Sequence, residues 1–78
     1  MTKVVLPELG EGITKASVTY WNFEVGDEVK EGEDLVELAT DKATFNLPSP
    51  VSGILKEKLK EEGDEARVGD AVAIIEER

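Results

Sequence analysis

Leu35-Val36-Glu37-Leu38-Ala39-Thr40-Asp41-Lys42-Ala43-Thr44-Phe45-Asn46-Leu47 is the stretch whose reading decides the fold. Val36 and Leu38 share one parity before the polar pair Asp41-Lys42, and Ala43, Phe45 and Leu47 share one after it. Alternation with period two places an apolar set on one face of a pleated sheet. Two such runs separated by a pair of polar residues predict an antiparallel hairpin with Thr40–Ala43 at its tip. Asp-Lys is not the Asn-Gly or Asp-Gly pair that a primed two-residue turn favours, so turn chemistry alone does not settle the connection. The hairpin carries one amine at its tip, Lys42.

Outward from the hairpin, the chain repeats itself. A shift of 37 lays Gly26-Asp27-Glu28 on Gly63-Asp64-Glu65, Lys30 on Arg67 and Gly32 on Gly69. It also lays Ala16 on Gly53, Val18 on Leu55, Leu35 on Val72 and Leu38 on Ile75. Two copies are too few for a solenoid. Two strand-turn-strand units, each burying the apolar face of the other, predict a two-fold sandwich. If a rotation relates the halves, the Lys42 tip lies opposite the place where the two chain ends emerge.

The remaining segments fit that plan. Lys3–Leu6 reads as a short strand stopped at Pro7, followed by a glycine-bearing surface loop over residues 8–15. The loop lacks the G-x-G-x-x-G spacing and no helical pattern follows it, which argues against a phosphate cradle. Ser17–Phe23 is β-rich and reads as a full strand, with Trp21 and Phe23 on one face and Val18 and Tyr20 on the other. Gly26–Asp34 is acidic, but its spacing is not that of a calcium loop, and it reads as a solvated turn. Lys56–Glu62 could pass for a charged helix, yet the repeat sets it against the Tyr20-Trp21 strand, so strand is the expectation.

Composition narrows the function. Seventy-eight residues make one small domain, 1–78, with half-repeats at about 1–40 and 43–78 and no room for a large enclosed active site. The sequence has neither cysteine nor histidine. Disulfides, thiolate nucleophiles, the usual zinc ligands and the commonest general base are therefore excluded. A net charge of -9 argues against nucleic acid and anionic membrane surfaces as partners, and discourages self-association, so the isolated domain is expected to be a monomer. No apolar run is long enough to span a bilayer, and Met-Thr-Lys-Val-Val does not read as a signal peptide. The cytoplasm of a bacterium or archaeon, or the mitochondrial matrix of a eukaryote, is the expected setting. The chain reads either as an excised domain or as a stand-alone protein.

Asp41-Lys42-Ala43 between two strands, with Pro48-Ser49-Pro50-Val51-Ser52-Gly53 following, resembles the lipoylation hairpin of lipoyl domains. The resemblance runs from Leu6-Pro7-Glu8-Leu9-Gly10-Glu11-Gly12 to Ile74-Ile75-Glu76. It implies an all-β fold: a flattened barrel or sandwich of two antiparallel sheets with about four strands each. It implies lipoic acid in amide linkage on Lys42, swinging between the active sites of a 2-oxo acid dehydrogenase complex with acyl groups and reducing equivalents. The implied partners are a thiamine-dependent 2-oxo acid dehydrogenase, an acyltransferase core, a dihydrolipoyl dehydrogenase and a lipoate-attaching enzyme. Asp41, Ala43 and Gly53 are the implied recognition residues for that last enzyme. Glu8, Gly10, Glu11, Gly12, Ile13 and Thr14 form the implied partner-recognition loop. The implied domain carries and does not catalyse.

The sequence departs from the family pattern at Ala39, where many members have Glu, and at Ala16, where many have Gly. Leu6–Ile13 leans toward pyruvate or branched-chain complexes, whereas Ala16–Trp21 would also suit a 2-oxoglutarate one. A biotin carrier shares the architecture, but its usual signature has Met on both sides of the lysine, and the only Met here is Met1. A glycine-cleavage carrier is usually longer, with different flanks. From other classes come a non-covalent acidic β-module and an enzyme built on a carboxylate pair, which no spacing singles out.

Overall fold

A computed structural model describes all residues, Met1–Arg78, and folds them into strands without a helix. The strands are β1 (Thr2–Val5), β2 (Lys15–Trp21), β3 (Glu28–Val29), β4 (Asp34–Ala39), β5 (Thr44–Pro48), β6 (Gly53–Lys58), β7 (Glu65–Arg67) and β8 (Ala71–Glu77). They form two antiparallel four-stranded sheets, ordered β1-β8-β6-β3 and β5-β4-β2-β7. Each sheet keeps its own edges, so the molecule is a flattened sandwich and not a closed barrel. Among the paired strands only β4 and β5 are neighbours in sequence; every other pairing joins distant parts of the chain.

The register carries a two-fold repeat. Leu38 pairs with Phe45 in one sheet and Ile75 with Thr2 in the other; Val36 pairs with Leu47, and Ala73 with Val4. The shift of 37 relates β2–β4 to β6–β8, whereas β1 maps onto β5 by a shift of 43. The connection between β1 and β2 is therefore six residues longer than its counterpart between β5 and β6. The β4–β5 hairpin maps onto β8 and β1, where the chain ends lie and the Thr2 hydroxyl donates to the Glu77 carboxylate.

The core obeys the same repeat. Val4/Leu47, Val18/Leu55, Val29/Ala66, Leu35/Val72, Val36/Ala73 and Leu38/Ile75 are equivalent pairs, and all twelve residues are buried between the sheets. Removing a large aliphatic side chain from water contributes about 1.5–3 kcal/mol, so these pairs dominate what holds the sheets together. At one equivalent pair the halves diverge: Trp21 is buried, and the Lys58 ammonium lies 5.1 Å from the centre of its ring. Trp21 Nε1–H donates to the Lys60 carbonyl at 2.9 Å, which satisfies the indole's one polar group.

Four expectations are corrected by the strands. The second strand spans Lys15–Trp21 and stops short of Phe23. The β2–β4 register slips by one residue between Val18 and Tyr20, placing a bulge at Thr19. A bulge shifts the phase of the side chains beyond it. Val18 and Trp21 therefore share the core face, while Tyr20 is 58% exposed instead of lying with Val18. The equivalent slip falls at Lys56, between Leu55 and Glu57. Within the acidic segment read as a plain turn, Glu28–Val29 is a short edge strand that pairs with β6, and Val29 is fully buried. The stretch after Leu55 is strand as far as Lys58, then bends away.

Candidate functional site

Lys42 is exposed at the tip of the β4–β5 hairpin, one residue beyond Asp41, which is also exposed. The last ladder pair is Ala39 with Thr44. Beyond it Thr40 N–H donates to the Ala43 carbonyl at 2.8 Å. No residue other than glycine has a positive φ, so the Asp41-Lys42 turn is not of the primed kind. The Thr40 side chain completes the turn instead. Its Oγ1 accepts the N–H of Lys42 at 3.2 Å and of Ala43 at 3.0 Å, and its hydroxyl donates to the Ala43 carbonyl at 2.9 Å. Lys42 takes part in none of the molecule's five ion pairs.

The long β1–β2 connection lies against this tip. A Cβ built on Gly12 would stand 3.5 Å from Lys42 Nζ, so the lysine side chain extends beside bare backbone. Gly12 is the third residue of a turn closed by Ile13 N–H to the Gly10 carbonyl at 3.2 Å. Its φ of +80° is the left-handed value that this position of a type II turn requires, and glycine reaches it without strain. The connection is tied down at both ends: Leu6 N–H donates to the Asp70 carbonyl at 2.9 Å and Val68 N–H to the Thr14 carbonyl at 3.0 Å. Leu9 packs on the core from within it. Glu8, Glu11, Gly12 and Thr14 are exposed, while Gly10 and Ile13 are half-buried.

The structure thus brings Asp41, Lys42, Ala43 and the Gly12 turn together and sets Gly53 apart. Gly53 lies in the other sheet, paired with Val29 and Glu77. A Cβ there would stand 2.0 Å from the Glu76 carbonyl oxygen, so close strand approach accounts for the residue. Beside the hairpin base is an open depression of ≈ 360 Å³ lined by Lys15, Ala16, Ser17, Ala39, Thr40, Asp41 and Glu65. Lys15 and Glu65 form an ion pair across 3.4 Å on its wall. Ala16 and Ala39, the two departures from the family pattern, both line it.

Sequence reasoning passed over Thr40 as a site residue. Its signal was available, since Ser and Thr before a turn close it through the hydroxyl. No cluster of three or more carboxylates is placed to hold a metal ion. What the site offers is a single free amine, held out from a closed turn, with an exposed carboxylate beside it and a glycine backbone alongside.

Residues 2–75 match the biotin–lipoyl family, described as "Biotin-requiring enzyme". The chain is 48% identical over 68 residues to the dihydrolipoyllysine-residue acetyltransferase component of the pyruvate dehydrogenase complex of Acholeplasma laidlawii, covering 87% of this chain and 12% of that one. It is 44% identical over 77 residues to the succinyltransferase component of the 2-oxoglutarate dehydrogenase complex of Staphylococcus saprophyticus, covering 99% of this chain and 18% of that one. The chain therefore spans less than a fifth of these curated relatives. Among solved structures it superposes on the lipoyl domain of the 2-oxoglutarate dehydrogenase complex from Azotobacter vinelandii with a TM-score of 0.78 and 27% identity, over 99% of this chain and 98% of that one. With that fold, that hairpin and these relatives, the chain belongs to the biotin–lipoyl family of attachment domains, among its lipoyl members.

Proposed function

We propose that Lys42 is the attachment point of lipoate and that the domain is a swinging-arm carrier in a 2-oxo acid dehydrogenase complex. The observation that carries this reading is the position of Lys42: an exposed amine, free of any ion pair, on the one tight hairpin of a lipoyl-type sandwich. The residues fit the group. The amine is open to an acyl donor, the turn beneath it is closed by Thr40, and Gly12 leaves the flank of the side chain clear.

When bound, lipoate supplies a cyclic disulfide able to take up an acyl group and two electrons and to be re-formed by thiol–disulfide exchange. The chain's own part is mechanical. The sandwich holds the tip rigid, the amide linkage removes the lysine charge, and Asp41 and the Glu8–Thr14 loop offer the surface that partners meet. Asp41 and Ala43 adjoin the anchor and serve recognition by the attaching enzyme. Gly53 acts through the packing of β6 on β8. The partners that follow from this reading are a thiamine-dependent dehydrogenase, an acyltransferase core and a dihydrolipoyl dehydrogenase, with catalysis left to them. Tethering raises effective concentration, so weak contacts suffice for transfer.

The test is the intact mass of the chain after separate incubations with lipoate ligase, lipoate and ATP, and with biotin ligase, biotin and ATP. A lipoyl increment that disappears in Lys42→Ala is expected. A biotin increment would instead make the chain a carboxylase carrier, and no increment on a folded sample would leave an acidic β-module.

A further inference from the structure

We infer that Thr40 is the positioning residue for modification of Lys42, an inference that rests on the carrier reading above. Two-residue hairpin loops ordinarily hold their shape through glycine in a primed turn. Asp41-Lys42 contains no glycine, and beside the Thr40 N–H to Ala43 carbonyl bond the turn is closed by one side-chain oxygen. Ala43 N–H, next after Thr40 N–H in the closure of the turn, is bound by Thr40 Oγ1 at 3.0 Å, and the same oxygen takes the Lys42 amide at 3.2 Å. With its own hydrogen given to the Ala43 carbonyl at 2.9 Å, the hydroxyl uses its one donor and both acceptor sites. The peptide N–H groups before and after the Lys42 Cα are therefore both held by a group outside the Asp41-Lys42 pair.

This device occurs at one end of the molecule only. The residue equivalent to Thr40 in the other half is Glu77, whose carboxylate accepts from Thr2 across the chain ends and closes no turn. The sandwich itself thus places no demand for a hydroxyl at this position, and the hydroxyl stands where the amine must be presented. Thr40 also lines the depression at the hairpin base with Asp41 and Ala39.

In the attachment step the neutral Lys42 amine attacks the carbonyl carbon of a lipoyl adenylate. The C–N bond forms, the bond from that carbon to the phosphate oxygen breaks, AMP leaves with the electron pair, and the amine's surplus proton passes to solvent. Thr40 touches none of these atoms. It sets how often the amine stands where the adenylate can meet it. A turn closed for only a fraction of the time raises the apparent dissociation constant by the inverse of that fraction and leaves the bound step alone.

The experiment compares the parent chain with Thr40→Val, which keeps the shape without the hydroxyl, and Thr40→Ser, which keeps the hydroxyl. Each is given lipoate ligase, lipoate and ATP, initial rates are followed by intact mass against chain concentration, and exchange of the Lys42 and Ala43 amides is read by NMR. For Thr40→Val we expect KM to rise about fivefold with kcat within about twofold of the parent, as a population effect dictates. Exchange at those two amides should quicken about tenfold, with core amides unchanged. Thr40→Ser should restore both. Parent-like KM in Thr40→Val, or failure of Thr40→Ser to restore it, would overturn the assignment. A parent chain that takes no lipoate would overturn the carrier reading first and this inference with it.

Discussion

Glu24 and Glu61 each donate a backbone N–H to the carboxylate of the aspartate three residues on, Asp27 and Asp64, at 2.8 Å in both halves. Gly26 N–H reaches the Leu55 carbonyl and Gly63 N–H the Val18 carbonyl, again at 2.8 Å in both. Lys30 and Arg67 donate to Glu33 and Asp70 in the same manner. At the β4–β5 tip the equivalence fails: one half has a closed turn with Lys42 and a long loop beside it, and the other has the chain ends and a short link through Ser49–Ser52. The turns and core that repeat are those required to hold two sheets face to face. Apart from the Trp21/Lys58 pair, the features that do not repeat gather at the end of the sandwich that carries Lys42.

Matched substitutions in the two halves sharpen this comparison. Leu38→Ala and Ile75→Ala remove equivalent, fully buried side chains, and each is expected to lower the unfolding free energy by about 3 kcal/mol in urea titrations. A gap between them much above about 1 kcal/mol would show that the halves repeat in geometry without repeating in energy. Next is the Gly53/Ala16 pair. Gly53→Ala drives a methyl into the Glu76 carbonyl and should destabilise by about 2 kcal/mol, whereas Ala16→Gly should lose only about 1 kcal/mol. Equal losses would mean that β6 can move away from β8 at no penalty.

A smaller effect is expected at the turns. Asp27→Ala and Asp64→Ala each remove one carboxylate cap on a backbone amide, and losses of about 1 kcal/mol apiece should appear as matched drops in thermal midpoint. The smallest change is expected from Lys15→Ala at the depression. Its partner Glu65 and Lys15 itself are each about half exposed, so stability should stay within about 0.5 kcal/mol. A larger loss there would mark the wall of the depression as a structural support for the hairpin.

Much of the architecture is legible in the sequence. Alternation on either side of Asp41-Lys42 marked the hairpin, because a strand's face is a local property read two residues at a time. The shift of 37 marked the sandwich, because equivalent turns need the same residues: Gly26-Asp27 and Gly63-Asp64 close identical hydrogen bonds. Tyr20 was misplaced because a bulge depends on how β2 registers against β4, and nothing in the order Val18-Thr19-Tyr20-Trp21 announces the slip. Val29 was missed because a two-residue strand is too short to show a period, and it joins the core only once β3 pairs with β6.

The candidate site divides in the same way. The amine of Lys42 at a hairpin tip could be read from the strand alternation, a local feature, while Asp41, Ala43 and the loop glycines were named by the resemblance to lipoyl domains. Only the tertiary structure set Gly12 beside Lys42 Nζ and gave Gly53 its contact with Glu76, whereas the closure of the Asp41-Lys42 turn on the Thr40 hydroxyl is local. The physical reason is range. Strand period and turn residues act over a few positions and are written in the chain. Register, close approach between strands and the meeting of a loop with a hairpin tip are decided when the sheets pair and pack.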